Sequence, residues 1–296
     1  MHASSAKPEA ARSDGSGGST SGARATQRRS ASERRGTAAT RGSGASRPGT
    51  GVYIYGIVPA DVELTSDTIG VGDPPGAVRL VRYGEIAALV SDVATDRPLG
   101  RPNDLMAHER LLDEAAAEVP VLPIRFGAVV TDTRAVVDEL LMPHHDEFLV
   151  TLNDLEGQAE FVVKGRYVEQ AVLRKVLEEN PEIARLRDEI RDLPEEATWD
   201  TRMRIGELIN ASITARRETD TAALVDALTP LCVDIAVRDP THEQDAAHLA
   251  LLVRTDRQPD IEKALDVFGK RWEGLVGLRL LGPLAPYDFV RTQENG

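Results

Sequence analysis

The stretch from His248 to Leu281, HLALLVRTDRQPDIEKALDVFGKRWEGLVGLRLL, decides the fold. It opens on a run, His248 to Val253, that is apolar after its first residue, the pattern of a central strand covered on both faces. Pro259 then opens a helix whose Ile261, Ala264, Leu265, Phe268 and Trp272 recur at helical spacing on one face. Leu275 to Leu281 closes the unit as a strand that ends at Gly282-Pro283.

Upstream, Leu231, Val233, Ile235 and Val237 alternate with more polar neighbours, as a half-buried strand does. Before them, residues 167 to 229 carry helical periodicity, with breaks predicted at Pro181, Pro194 and near Thr219, and Ala159 to Lys164 reads as a strand. The order is β-α-β-β-α-β, the split βαβ arrangement of a ferredoxin-like sandwich, with extra helices inserted after its first strand.

The first half reads differently. Val52 to Val58 is a β-rich run ended by Pro59, and Val78 to Tyr83 and Ile86 to Val90 flank Gly84-Glu85 as a hairpin. Gly70 to Gly76 lacks the spacing of a dinucleotide loop and contains Pro74 and Pro75, which have no N–H for a phosphate, so a turn-rich loop is expected. Leu105, Leu112, Ala115, Ala116 and Val119 predict a helix after Pro102, with Asn103 as its cap. Val121 to Gly127 predicts a strand at an edge or a strand end, because of its proline. Val136 to Leu141 and Phe148 to Leu155 predict two more helices, the second stopping at Gly157. The expectation is an α+β protein of two domains: an N-terminal α/β domain over 51–157 and a ferredoxin-like domain with inserted helices over 158–290. Residues 1–50 and 291–296 would be tails.

The 1–50 segment contains Lys7 and eight arginines against Glu9, Asp14 and Glu33, about +6, and has no Val, Ile, Leu, Phe, Tyr or Trp. Too little apolar surface is present to offset the ordering entropy, so a disordered basic arm is expected. It also lacks the apolar core of a secretory signal. The rest holds 26 bases and 45 acids, near −19, which disfavours nucleic acid as a partner of the body. The single cysteine, Cys232, excludes an internal disulfide and a cysteine-rich zinc module. No apolar run reaches the ~18 residues of a membrane span.

Catalytic motifs are absent: the chain has no G-x-S-x-G, no phosphate-binding G-x-x-x-x-G-K-[ST] and no H-E-x-x-H. His144-His145-Asp146-Glu147 is the densest candidate ligand set, readable as a metal site or as the acidic first turn of a helix. His242 and His248 bracket Glu243 and Asp245 and suggest a solvated loop, and Cys232 a small buried hydrophobe rather than a nucleophile. Arg125, inside Ile124-Arg125-Phe126-Gly127, is either outward at an edge, paired with a carboxylate, or placed for an interface. Tyr53/Tyr55 and Tyr287/Phe289 read as core packing or as a binding surface. An enzyme on a ferredoxin-like scaffold, centred on His144 to Glu147, is the alternative to an interaction protein. A base-stacking sheet is disfavoured because His248 to Val253 has no Phe, Tyr or Trp and the body is acidic.

Four segments, in order, resemble the gas vesicle GvpL/GvpF family: Tyr53-Ile54-Tyr55-Gly56-Ile57-Val58-Pro59, Val121-Leu122-Pro123-Ile124-Arg125-Phe126-Gly127, Leu155-Glu156-Gly157-Gln158-Ala159-Glu160-Phe161 with Val163-Lys164, and Leu281-Gly282-Pro283-Leu284-Ala285-Pro286-Tyr287-Asp288-Phe289-Val290. The resemblance covers residues 52 to 290. It implies a non-catalytic accessory protein of gas vesicle formation, cytoplasmic and at the vesicle, without a cofactor. Its partners would be the small hydrophobic shell protein and other gas vesicle accessory proteins. Subunits with a strongly apolar face aggregate when unguarded, so an acidic carrier is a physically sensible partner. The residues expected to touch it are Tyr53, Ile54, Tyr55, Ile124, Arg125 and Phe126.

Overall fold

Two antiparallel sheets, each with a fully buried central strand, organise the chain in the computed structural model, which describes residues 49–64, 68–96 and 98–290. All of them fall within one compact unit. The expected arm and the 291–296 tail lie outside the described residues, except that Gly49 and Thr50 are described and Thr50 already belongs to the first strand.

The first sheet has the order β4 (Arg79–Tyr83), β5 (Ile86–Ala94), β1 (Thr50–Pro59), β6 (Leu122–Pro123), and β7 (Val129–Val130) also pairs with β1. Val52 to Val58 is buried without interruption. A bulge at Tyr55, where the β1–β5 register shifts between Ile54 and Gly56, explains how. Before it Val52 and Ile54 face one core and Tyr53 and Tyr55 the other; after it Ile57 and Val58 continue the same two sets. Gly56 sits where a Cβ would lie 2.7 Å from the Leu122 carbonyl oxygen and 2.8 Å from Leu112 Cδ2, so only glycine fits the crossing.

One face is covered by α2 (Thr133–Ala135), which runs into a π-helical turn (Val136–Leu141), and by α3 (His145–Asp154). The other is covered by α1 (Pro102–Ala116). Gly70 to Gly76, expected as a loop, contributes to a small strand pair, β2 (Ile69–Gly72) with β3 (Pro75–Ala77). Ile69 pairs with Ala77 and Gly72 with Pro75, so one of the two prolines stands in the strand pair itself. The expected strand Val121–Gly127 is laddered only at Leu122–Pro123, because the chain bulges over Arg125 to Gly127 before β7. Ile124 N–H and Ala128 O still bond β1, to Tyr55 O at 2.8 Å and from Ile54 N–H at 2.9 Å. Asn103 lies inside α1 rather than capping it; Asp104, one residue later, accepts from Arg101 N–H at 3.2 Å. Of the residues expected on the inner face, Leu112 and Ala116 are buried and Leu105 is exposed, and Asp104, His108 and Leu111 are also inside.

The second sheet has the order β11 (Val276–Leu284), β8 (Gln158–Tyr167), β10 (Asp245–Arg254), β9 (Asp234–Val237), every pair antiparallel. Ala159, Phe161 and Val163 of β8 and Leu249, Leu251 and Val253 of β10 form a core with α4 (Glu169–Glu179), α5 (Pro181–Glu189), α6 (Trp199–Leu228) and α7 (Gln258–Arg271). Helix α7 buries Ile261, Leu265 and Phe268 as its spacing requires. The break predicted near Thr219 does not occur: α6 runs straight through, with the Thr219 hydroxyl bonded to Ala215 O at 3.0 Å, so the side chain is satisfied inside the helix. Leu231 to Val233 precede β9 rather than belonging to it.

The two sheets share side chains. Leu252, on the far face of β10, joins the core of β1's Val52 and Ile54, and Phe289 and Val290 pack against it; Ala285 completes the α1-side core.

Candidate functional site

The expected partner-contacting residues fall at one place, but at different depths. Tyr53 and Tyr55 are 0% exposed and Ile54 3%, so these three lie beneath the surface. Ile124 and Phe126 are half-buried, and Arg125 is exposed at the crest of the bulge between β6 and β7.

Beneath that crest lies a polar network inside an apolar core. The Tyr53 hydroxyl is 2.9 Å from His108 Nδ1 and accepts the Gly127 N–H at 3.1 Å. His108 Nε2 is 2.9 Å from the Tyr287 hydroxyl. The Tyr55 hydroxyl pairs with Ser91 Oγ at 2.8 Å and accepts from Val71 N–H at 2.7 Å. Rings of Tyr53, Tyr55, His108 and Phe126 lie 4.8 to 5.9 Å apart, so the bulge is clamped from below. Burial pushes the imidazole of His108 down to about 4 and the Tyr53, Tyr55 and Tyr287 phenols above their ordinary value, keeping the network neutral.

A second polar junction is charged. Arg238 meets Glu160 at 2.7 Å and also the carboxylate of Asp288, whose N–H donates to Glu160 Oε2 at 3.1 Å. Glu160 is 2% exposed, and burial first, then the neighbouring Asp288 charge, pushes its carboxyl up to about 7 against the lowering pull of Arg238. Both junctions grip the same segment: Ala285 N–H donates to Asp113 Oδ1 at 3.0 Å, Tyr287 reaches His108, and Asp288 reaches Arg238 and Glu160. Residues 285–290 are thus a strap lying across both sheets.

Local structure accounts for the other candidates except at His248, whose Nε2 is buried without a hydrogen-bond partner among the described residues. His144 to Glu147 stands at the start of α3, and His145 bridges Asp146 at 2.9 Å and Glu85 at 3.0 Å, tying the β4–β5 turn to the helix. Hydrogen bonds to Asp146 and then Glu85 raise its imidazole. His242 lies in a turn closed by Asp245; burial would raise that carboxyl, but Thr241 and the His242 N–H hold it low. His248 is buried in β10, with Nδ1 3.3 Å from Asp239 O. Cys232 is half-buried just ahead of β9, and burial pushes its thiol up to about 11, the opposite of nucleophilic activation. Among the described residues no three His, Cys, Asp or Glu side chains converge to hold a metal, and no helix is long and apolar enough to cross a membrane.

Sequence reading missed His108, Glu160, Arg238 and Asp288 as structural hubs. Asp104 and His108 stand eight and four residues before Leu112, a helical signal for the inner face that polarity masked. Glu160 interrupts an apolar strand, and its partners Arg238 and Asp288 are 78 and 128 residues away, beyond any local pattern.

A sequence profile described as "Gas vesicle synthesis protein GvpL/GvpF" matches residues 51–291. The chain belongs to the GvpL/GvpF family. Gas vesicle protein F of Streptomyces sp. (strain CB03234) is 36% identical over 242 residues, covering 80% of this chain and 98% of that protein. Gas vesicle protein L of the same strain is 28% identical over 257 residues, covering 82% and 94%. The crystal structure of GvpF from Anabaena sp. PCC7120 superposes with a TM-score of 0.68 at 24% identity, covering 82% of this chain and 99% of that one; GvpF from Microcystis aeruginosa gives 0.63 at 23%, covering 81% and 98%. These two share the fold. A role in gas vesicle formation fits the chain, and the family is named for gas vesicles, not for a reaction.

Proposed function

We propose that this chain is a non-catalytic assembly protein of gas vesicle formation, working in the cytoplasm by binding the hydrophobic shell protein and other gas vesicle accessory proteins. The observation that carries the reading is the family match over 51–291, with relatives aligned along nearly their whole length. The polar groups of the two junctions support it, because they are spent on one another: His108 has both ring nitrogens engaged and Glu160 has Arg238 and Asp288. A reaction site needs groups left free to meet a substrate.

The second half is inferred to be a ferredoxin-like domain, 158–290, with α5 and most of α6 as the insertion, and 51–157 an N-terminal α/β domain. In support, the element order is β-α-β-β-α-β around the insertion, and β11-β8-β10-β9 places the fourth strand beside the first and the third between first and second.

The partner surface is proposed to be the crest formed by Arg125 with Ile124 and Phe126, shaped from beneath by Tyr53, Ile54 and Tyr55. The test uses the full chain, because Leu252, Ala285, Phe289 and Val290 complete the cores around β1 and a 51–157 fragment would lack them. Tagged full-length chain should retain the shell protein from cells forming gas vesicles, and Arg125→Glu should reduce retention at least tenfold. Unchanged retention by Arg125→Glu would move the surface elsewhere.

A further inference from the structure

On the face of the first sheet opposite α3, the chain leaving β1 stands apart from the end of α1 and leaves a groove of about 690 Å³. Its floor is apolar: Val58 and Leu89 from the sheet, Leu111 and Ala115 from the helix, with Val62, Leu64 and Val119 above them. Its rim is acidic, formed by Asp61 and Glu63 on one side and Glu114 and Glu118 on the other, and no base lines it among the described residues. Glu114 shares its charge with Arg110 at 2.7 Å; Asp61, Glu63 and Glu118 take part in no ion pair among the described residues.

The helix end makes this charge unfavourable unless something answers it. Glu114 lies in the last turn of α1 and Glu118 just beyond it, beside carbonyls that already carry the negative end of the helix dipole, and no basic residue occupies that turn. The opposite wall is held open rather than neutralised. Arg82 spends its guanidinium on the Ala60 and Val62 carbonyls, at 2.8 and 3.1 Å, bracing the segment that carries Asp61 and Glu63.

We propose that this groove docks a partner segment that carries large apolar side chains flanked by lysine or arginine. An apolar floor takes the apolar side chains, and a rim of four carboxylates at a helix C-terminus takes the cations while rejecting an acidic segment. The chain's own basic arm matches only half of this, since it has the arginines but no Val, Ile, Leu, Phe, Tyr or Trp. The groove lies apart from the Arg125 crest, and the inference does not depend on the shell protein being the partner.

Three fluorescent synthetic peptides of equal length, alternating at helical spacing between Leu and Lys, Leu and Glu, or Ser and Lys, test it by anisotropy against the full chain. The Leu/Lys peptide is expected to bind one to one and at least tenfold tighter than the other two. Asp61→Asn/Glu63→Gln/Glu118→Gln should weaken it at least tenfold, and Ala115→Trp, which fills the floor without changing charge, should do the same. Equal binding of the Ser/Lys peptide would reduce the effect to bulk charge and overturn the proposal, as would indifference to both variants. Binding that emerges only after the arm's arginines are changed to serine would assign the groove to the arm and equally overturn it.

Discussion

The strap 285–290 is held at one point by a neutral network and at another by a charged one, and the two behave oppositely. Tyr53 and His108, both buried, and Tyr287, at the exposed edge of the core, exchange hydrogen bonds between uncharged groups. Arg238, Glu160 and Asp288 place one cation between two acids, one of them almost fully buried. A buried polar group is tolerated when each donor finds an acceptor, whereas a buried charge depends on its specific counter-charge. The first junction therefore fixes geometry, and the second fixes it only while its arginine is in place.

The largest expected effect follows from that dependence. Arg238→Ala leaves Glu160 and Asp288 facing each other without a cation and should cost about 3–5 kcal/mol in urea unfolding. Adding Glu160→Gln to it should recover a substantial part, and failure to recover would mean that Arg238 acts through packing. At the neutral junction, Tyr53→Phe strips a partner from His108 Nδ1 and from the Gly127 N–H and should cost about 1–3 kcal/mol by the same measurement. A loss as large as that of Arg238→Ala would erase the contrast.

Acid separates the two junctions by sign. Glu160 has its carboxyl raised from 4.5 to about 7, so the folded chain binds its proton more tightly; that contribution is complete below 4.5 and is lost as pH rises to about 7. His108 is lowered from 6.5 to about 4, so its contribution is complete above 6.5 and is lost as pH falls to about 4. Glu160→Gln should therefore lose stability more steeply than the parent between pH 6.5 and 4.5, and His108→Gln should gain relative to the parent over the same interval. Urea midpoints at pH 4.5, 5.5 and 7 decide it, and parallel curves would contradict both assignments. The smallest effect is expected away from both junctions: Trp199, 65% exposed at the start of α6, should change stability by less than about 0.5 kcal/mol when replaced by serine.

Much of the frame was legible in the sequence, because burial on one face writes a period into it. The runs of β1 and β10, the hairpin of β4 and β5, and the face of α7 all announce themselves. What escaped is set by contacts distant in sequence. The bulge at Tyr55 that lets β1 bury both faces arises against β5 and has no sequence period of its own. Thr219 predicts a break by its type, but its hydroxyl is satisfied by the carbonyl four residues earlier, a contact that exists only once the helix has formed. Tyr53 and Tyr55 read as core packing ahead of a binding surface, and they are core: their hydroxyls, which suggest a surface, are consumed by His108 and by Ser91 with Val71. The four motifs that carry the family resemblance all lie at these junctions or beside them, including Glu160 and the strap itself.

The central claim is that this molecule acts in gas vesicle formation by holding other proteins. Deleting its gene from a vesicle-forming host, and restoring it either intact or as Arg125→Glu, tests that most directly through flotation of the cells. The account predicts that the deleted cells sink, that the intact gene restores flotation and that the variant restores it poorly. Normal flotation of the deleted cells would contradict it.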